Sequence, residues 1–179
     1  MSGDLSLQNR QCARAVDLRQ LRRITNTLLV ELLSADNFEL GVHLVAMTEM
    51  TRLNQSFLHH AGSTDVITFD YATAVRRVSQ RASRNKPRHA NPLAPSPRNL
   101  HGEIFICLDE ALTQSRKYRT SWQAELVRYL VHGLLHLHGF NDSQTAARRK
   151  MKHEENRLLR ELARRFPLSK LRRQPRVAP

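Results

Sequence analysis

The sequence has few of the residues that stabilise secreted proteins or span membranes. Its 179 residues include only two cysteines, Cys12 and Cys107, which are too few for a disulfide framework. No stretch approaches the roughly 18 consecutive apolar residues of a membrane-spanning helix, and charged residues interrupt the N-terminal region too early for a secretory signal. We therefore expect a cytoplasmic protein with reduced thiols and no membrane partner.

Acidic residues are scarce as well. The chain has 29 lysines and arginines against 16 aspartates and glutamates, so its formal net charge is +13. The excess is concentrated in residues 75–99, with seven basic and no acidic residues, and in residues 156–179, with eight basic residues and one acid. The rest of the chain holds 14 basic and 15 acidic residues. One interpretation is that both basic segments contact the phosphates of a nucleic acid. The alternative is that they are solvated extensions of a nearly neutral domain.

The first basic segment is rich in proline and poor in apolar residues, a composition typical of a loop. It lies between two strand-like runs, VITFDYA and GEIFICL, so we predict an insertion at residues 75–100 within a single domain, residues 1–166. The second segment begins as a helix, and we predict a basic tail over residues 167–179. The candidate RNA-binding residues of the insertion are Arg76, Arg77, Arg81, Arg84, Lys86 and Arg88.

Hydrophobic periodicity predicts four strands and five helices in the order β-α-β-α-β-β-α-α-α. Asp17 is the predicted N-cap of the first helix, and Asp109 is the predicted cap of a short helix after the fourth strand. A longer helix is predicted from about Ser121 to Leu137, with Gly139 ending it. This order predicts an α+β fold, in which a small mixed sheet is covered mainly on one face by helices.

The segment VHGLLHLHGFND, residues 131–142, has the spacing of a metal site. His132 and His136 are four residues apart, so a helix places both imidazoles on one face, about one turn apart. Gly139 then lets the chain turn back, and Asp142 can supply a third ligand. Two imidazoles and one carboxylate make a tetrahedral zinc site with an open fourth position, which is typical of catalytic zinc. The alternative is two unrelated histidines on an amphipathic helix.

The same segment disfavours a metallopeptidase. The zincin motif H-E-x-x-H has its general base immediately after the first histidine, where this chain has Gly133. A phosphodiester is the more natural substrate of a zinc centre near basic segments. Zinc would act as a Lewis acid toward a phosphoryl oxygen or water, and the arginines would hold phosphates.

Three blocks of sequence resemble one protein family. HGLLHLHGFND is similar to the HGxLHLxGxDH signature of the YbeY family of bacterial endoribonucleases, which are also called rRNA maturation factors. LNQSFLHHAGSTDVITFDY and GEIFICLDEALTQSRKY, the latter followed by Glu125, resemble two further blocks of that family in the same order, over roughly residues 40–155. The resemblance implies an α+β fold, one zinc ion and cleavage of single-stranded RNA. It further implies maturation of the 3′ end of 16S ribosomal RNA, ribosome quality control and the small ribosomal subunit as a partner.

Two positions depart from the family pattern. The third ligand of the family is a histidine, whereas position 142 is Asp142. Zinc accepts carboxylate oxygen at nearly the same distance as imidazole nitrogen, so we expect the site to persist with a weaker Lewis acid. Leu58 stands where the family commonly has an arginine, and His59, His60 or an arginine of the insertion are candidates for its role.

Four further residues are supporting candidates: Thr64, Asp65, Glu125 and Asn54, the last implied by the resemblance alone. Thr64 and Asp65 orient a ligand from the start of a strand, or they form a turn. Glu125 lies two helical turns before His132 and either holds an imidazole tautomer or forms a surface salt bridge. The leading hypothesis is thus a zinc-dependent endoribonuclease. The alternative is a non-catalytic ribosome-binding assembly factor, whose structural metal would need a fourth protein ligand.

Overall fold

The structure is a computed structural model that describes residues 2–59, 61–72 and 99–173. The six candidate RNA-binding residues of the insertion and His60 lie outside the described residues. Two of the helices, α1 (Leu18–Asn26) and α2 (Met47–Leu53), each continue into a short π-helical segment, Thr27–Leu32 and Asn54–Leu58 respectively. The elements are β1 (Ser2–Asn9), α1 (Leu18–Asn26), β2 (Asn37–Val45), α2 (Met47–Leu53), β3 (Val66–Asp70), β4 (Asn99–Cys107), α3 (Leu108–Tyr118), α4 (Trp122–Leu137) and α5 (Thr145–Arg165).

The four strands form one mixed sheet in the order β1-β2-β4-β3. β1 pairs with β2 and β2 pairs with β4 in parallel, whereas β3 runs antiparallel to β4 at the other edge. The predicted element order and the α+β fold are confirmed, and β1 lies at an edge of the sheet.

Residues of β4 alternate between two hydrophobic clusters on opposite faces of the sheet. Ile104 and Ile106 belong to the main core, under the helices that pack on one face. Phe105 and Cys107 belong to a smaller cluster with Met50 of α2 on the other face. Most of the buried apolar surface therefore lies between the sheet and one layer of helices, as predicted.

Helix α4 lies directly against the sheet because it carries a glycine at the contact. A Cβ atom at Gly133 would be 2.9 Å from Ile104 Cγ2 and 3.2 Å from Thr68 Cγ2, closer than ordinary packing allows. A glutamate here would project into the sheet, away from the imidazoles of α4. The geometry thus gives a physical reason for the absence of a zincin base.

Two helix starts test the capping predictions. Asp17 accepts hydrogen bonds from the backbone N–H groups of Arg19 at 2.9 Å and Gln20 at 3.0 Å, which confirms it as the N-cap of α1. The prediction for Asp109 is wrong. α3 begins at Leu108 with Cys107 as its N-cap, two residues before Asp109, and Asp109 accepts instead from the Met47 backbone N–H at 2.7 Å.

The first residues of the predicted basic tail belong to the folded domain. Leu168–Leu171 form a 3-10 turn, and Leu171 is fully buried. The Asp17 backbone N–H donates to the Leu171 carbonyl at 2.8 Å, and the Arg173 N–H donates to the Ala15 carbonyl at 3.0 Å. No helix in the described part of the chain has the length and hydropathy needed to cross a membrane.

Candidate metal centre

Two imidazoles converge on one side of α4. The rings of His132 and His136 have centroids 4.7 Å apart and an interplanar angle of 79°. Their Nε2 atoms lie 3.1 Å apart. Two nitrogens bound to one tetrahedral zinc ion at 2.0–2.1 Å would be about 3.3 Å apart, so the observed spacing is close to that of two ligands of one ion.

The chain turns back after α4 and brings a carboxylate to the two imidazoles. Gly139 adopts a φ of 92°, a left-handed conformation that glycine accepts without strain. The backbone N–H groups of Gly139 and Phe140 donate to the carbonyls of His136 and Leu135, each at 2.9 Å. One ligand atom each of His132, His136 and Asp142 then lie within 4.8 Å of one another.

The electrostatic surroundings favour neutral His136, the form that binds a metal ion. Burial lowers the pKa of this imidazole, and the neighbouring His132 lowers it further. Asp142 and a hydrogen bond to the Phe140 backbone act in the opposite direction, but the net change is downward. A metal ion therefore meets little competition from protons at His136 near neutral pH.

The residue that orients His132 is one that the sequence reasoning missed. Glu155 of α5 lies beside α4, with Oε2 at 3.1 Å from His132 Nδ1. A carboxylate accepts only, so Nδ1 of His132 is the donor and Nε2 is left with a lone pair for a metal. This is the arrangement in which a buried carboxylate fixes the tautomer of a ligating histidine.

Two cations hold Glu155 in its charged form. Arg128 Nη1 donates to Oε1 at 2.9 Å, and Lys152 Nζ donates to the same oxygen at 2.8 Å. Burial alone would raise the pKa of Glu155, but the hydrogen bonds from His132, Lys152 and Arg128 outweigh it and lower the pKa to about 2.

A signal for Glu155 was present in the sequence. Along α5 the buried positions are Met151, Glu155, Leu158 and Leu162, which follow helical spacing. A buried acid needs a hydrogen-bonding or charged partner. An acidic residue on an otherwise apolar face of a helix therefore predicts such a partner on the element that packs against that face.

Glu125 is connected to the metal centre only indirectly. Its carboxylate accepts a hydrogen bond from Thr120 Oγ1 at 2.6 Å and forms an ion pair with Arg128 at 3.4 Å. Arg128 in turn donates to Glu155, which holds His132. The tautomer-holding role considered for Glu125 thus belongs to Glu155, and Glu125 supports it through Arg128.

The other supporting candidates lie on the segment that leads into β3. Asp65 Oδ1 accepts hydrogen bonds from Thr64 Oγ1 at 3.0 Å and from the Val66 backbone N–H at 2.9 Å. Asn54 is buried and donates from Nδ2 to the Gly62 carbonyl at 2.9 Å, so it holds the loop after α2. Leu58 is exposed at the end of the π-helical segment that follows α2 and brings no charge.

Two cavities meet beside the imidazoles. The smaller, about 290 Å³ in volume, is lined by residues that include His132, Asp142 and Glu155. The larger, about 810 Å³, lies between the start of β3, α3 and α4. Arg128 and Lys152 line both cavities, so two cations stand beside the candidate ligands.

Comparison with known proteins gives consistent matches. A sequence profile described as Endoribonuclease YbeY matches residues 6–163. An endoribonuclease YbeY of Salinibacter ruber is 31% identical over 155 residues, which cover 87% of this chain and 89% of that protein. An endoribonuclease YbeY of Bacteroides fragilis is 32% identical over 111 residues, or 62% of this chain and 63% of that protein.

A likeness to a solved structure concerns the fold alone. The solution structure of a Thermotoga maritima protein superposes with a TM-score of 0.57 at 19% identity, covering 98% of this chain and 100% of that one. This likeness agrees with the α+β fold, whereas the agreement with the three sequence blocks comes from the sequence matches.

Proposed function

Because this chain belongs to the endoribonuclease YbeY family, we propose that it is a zinc-dependent hydrolase that cleaves phosphodiester bonds of single-stranded RNA. His132, His136 and Asp142 would hold the metal. Its biological substrates would be precursors of 16S ribosomal RNA, cut at the 3′ end in the cytoplasm, and the small ribosomal subunit would be its partner in quality control.

The observation that carries this proposal is the convergence of three metal-ligand side chains beside a cavity. His132 and His136 present Nε2 atoms 3.1 Å apart, and Asp142 completes the group. Two nitrogens and one carboxylate oxygen suit zinc. When bound, zinc would supply Lewis acidity toward a phosphoryl oxygen and a water molecule.

The chain's own residues account for orientation and charge. Glu155 holds the His132 tautomer, and Arg128 and Lys152 line the cavity into which a phosphate would enter. Both cations already donate to Glu155, and each keeps further N–H donors for a phosphate in this partly enclosed site. The cations of α4 and α5, Arg128 and Lys152, are therefore candidates for the role of the arginine that Leu58 replaces.

The alternative of a binding factor with a structural metal has less support. A structural zinc site is closed by four protein ligands. Within the described ranges, the candidate group contains three residues, His132, His136 and Asp142. A three-residue group leaves a position for substrate or water, which favours the enzyme.

The test is cleavage of a short single-stranded RNA and of immature small ribosomal subunits, with and without a chelator, with the RNA ends mapped. We expect metal-dependent cleavage in both. His136→Ala should lose both zinc and cleavage, whereas the control His101→Ala, an exposed histidine on the other face of the sheet, should retain both. A full complement of zinc in His136→Ala would contradict the assigned site, and metal-independent RNA ends would favour the binding factor.

We propose that the basic insertion contributes affinity without sequence specificity. Its six candidate residues, Arg76 to Arg88, would contact RNA phosphates. Replacing all six by serine should weaken RNA binding and flatten its dependence on salt, while cleavage of a short oligonucleotide at low salt persists. An unchanged salt dependence would contradict this role.

A further inference from the structure

The larger cavity continues directly from the metal centre. It shares Asp65, Arg128, Tyr129 and Lys152 with the smaller cavity that contains His132. A strand with its scissile phosphate at the metal centre therefore has a path into the larger cavity across this junction. At about 810 Å³, the cavity is large enough for a nucleotide.

Charge is distributed unevenly along this path. The two cations, Arg128 and Lys152, are at the junction, where a phosphate would lie, together with Asp65, which accepts hydrogen bonds from Thr64 and the Val66 backbone N–H. Beyond the junction the cavity is lined by Glu110 and Glu125. Such carboxylates repel phosphate and accept hydrogen bonds, so the outer part favours an uncharged group with N–H donors.

Of these two acids, Glu110 is the one available to a ligand. Glu125 is already engaged by Thr120 and Arg128. The carboxylate of Glu110, in the first turn of α3, makes no hydrogen bond or ion pair with the described residues. It is half-buried, and as far as the described residues go both of its oxygens are open to a ligand.

A second, independent observation at the junction also indicates a ligand. Tyr129 is only 4% exposed, and its hydroxyl has no hydrogen-bond partner within the described part of the chain. Buried hydroxyls are nearly always paired in folded proteins. Tyr129 lines both cavities, so a bound nucleotide is the natural source of the missing partner.

We propose that the larger cavity binds the base of the nucleotide next to the scissile phosphate, and that Glu110 selects guanine there. Guanine presents two adjacent donors, N1–H and the N2 amino group, which match the two oxygens of one carboxylate. Adenine and cytosine present one amino donor beside an acceptor, and uracil presents one N–H between two acceptors. Tyr118, 61% exposed at the same cavity, offers a ring face on which the base can stack. This inference rests on the proposed function for the placement of the phosphate.

The test uses equilibrium binding, which needs no cleavage. Chelator-treated full-length protein is titrated with an oligouridylate that carries one guanosine, and with the same oligonucleotide carrying inosine, which lacks the N2 amino group. We expect guanosine to bind about tenfold more tightly, the value of one hydrogen bond to a charged group. Glu110→Gln should bind both equally, and Glu39→Gln, an exposed carboxylate of β2, should keep the tenfold preference. Equal binding by the unaltered protein, or a preference that survives in Glu110→Gln, would overturn the proposal.

Cleavage mapping with metal-loaded protein separates this inference from the proposed function. If the protein cuts next to guanosine and Glu110→Gln cuts without base preference, both the guanine subsite and the nuclease are supported. Metal-dependent cuts without base preference would overturn the guanine subsite and leave the nuclease intact. A guanosine preference in binding, without metal-dependent cleavage, would support the subsite and overturn the nuclease.

Discussion

Glu155 of α5 and His132 of α4 are in contact between two neighbouring helices, with Oε2 of the glutamate 3.1 Å from Nδ1 of the histidine. This contact predicts that Glu155→Gln binds zinc about 10–100-fold more weakly, because a ligating imidazole loses the partner that fixes its tautomer. Competition with a chromophoric chelator measures the affinity. Glu161→Gln is the matched control, since it lies on the same helix and pairs with Arg165 at the surface. Equal affinities of the two variants would show that Glu155 does not position His132.

The identity of the third ligand predicts opposite results for two substitutions. Asp142→Asn removes the anionic oxygen, so zinc binding should weaken by at least tenfold, because amides are poor zinc ligands. Asp142→His should keep about one zinc per chain and cleave RNA faster, because a neutral ligand leaves the ion a stronger Lewis acid. Zinc content and single-turnover cleavage rates measure the two effects. Normal zinc affinity in Asp142→Asn would remove Asp142 from the site.

Local sequence patterns predicted the parts of the site that lie on one element. The spacing of His132 and His136 places them on one face of a helix, and Gly139 accounts for the turn that follows. Glu155 could not be paired with His132 in the same way, because that contact depends on how α5 folds back across α4. Periodicity identifies which residues of a helix are buried but not which helix they face.

The basic composition of the C-terminal segment made its folded part difficult to predict. Basic residues dominate the composition after Pro167, which predicts a tail. Leu171 is nevertheless buried against the start of the domain, and Arg172 forms a β-bridge with Val16. Scattered apolar residues in a basic segment are a weak signal in sequence, yet the burial of Leu171 and the backbone hydrogen bonds of Asp17 and Arg173 attach the segment.

The pair formed by Tyr71 and Glu103 predicts a pH-dependent contribution to stability. The Tyr71 hydroxyl donates to Glu103 Oε2 at 2.7 Å. Burial opposes ionisation of Glu103, but the hydrogen bonds from Tyr71 and His43 prevail, and the net pKa is lowered. Tyr71→Phe should therefore reduce the free energy of unfolding by about 0.5–1 kcal/mol at pH 7. The difference should shrink as the pH falls below about 4.5, because protonated Glu103 no longer benefits from the donor.

The hydrogen bond between Tyr71 and Glu103 should also stop contributing to stability at high pH. The hydrogen bond to Glu103 raises the pKa of Tyr71 to about 12, so the stabilisation is present below about pH 10 and is lost as the pH rises toward 12. Urea unfolding of the protein and Tyr71→Phe across this range measures both limbs. Tyr118→Phe, which removes an exposed hydroxyl, is the control and should show no pH-dependent difference. A constant difference between the protein and Tyr71→Phe at all pH values would contradict the assignment.

Tyr129 should behave in the opposite way to Tyr71. Its buried hydroxyl has no partner among the described residues, so Tyr129→Phe removes an unsatisfied polar group and leaves the packing intact. The free energy of unfolding should stay equal or rise by up to about 1 kcal/mol, while RNA binding weakens several-fold because the ligand loses a partner. Urea unfolding and equilibrium binding measure the two quantities. A loss of stability as large as that of Tyr71→Phe would show that the hydroxyl is bonded in the free protein.

Substitution of Gly133 tests how closely α4 must approach the sheet. Alanine is favoured over glycine by about 1 kcal/mol inside a helix, so an open site would gain stability from Gly133→Ala. Here the added methyl group would lie 2.9 Å from Ile104 Cγ2, and overpacking typically costs about 1–3 kcal/mol. We therefore expect Gly133→Ala to lower the free energy of unfolding and to weaken zinc binding, because α4 carries both imidazoles.

The double variant Gly133→Ala with Ile104→Val isolates the cause. Valine at position 104 lacks the Cδ1 methyl group, which lies 3.4 Å from the Cβ position of residue 133, and the shorter side chain gives the neighbouring Cγ2 atom room to shift. We expect the double variant to be more stable than the sum of the two single changes predicts, by about 0.5–1 kcal/mol in a double-mutant cycle. Strict additivity in urea unfolding would mean that the helix accommodates the methyl group elsewhere, and that the contact between Gly133 and Ile104 does not set the position of the imidazoles.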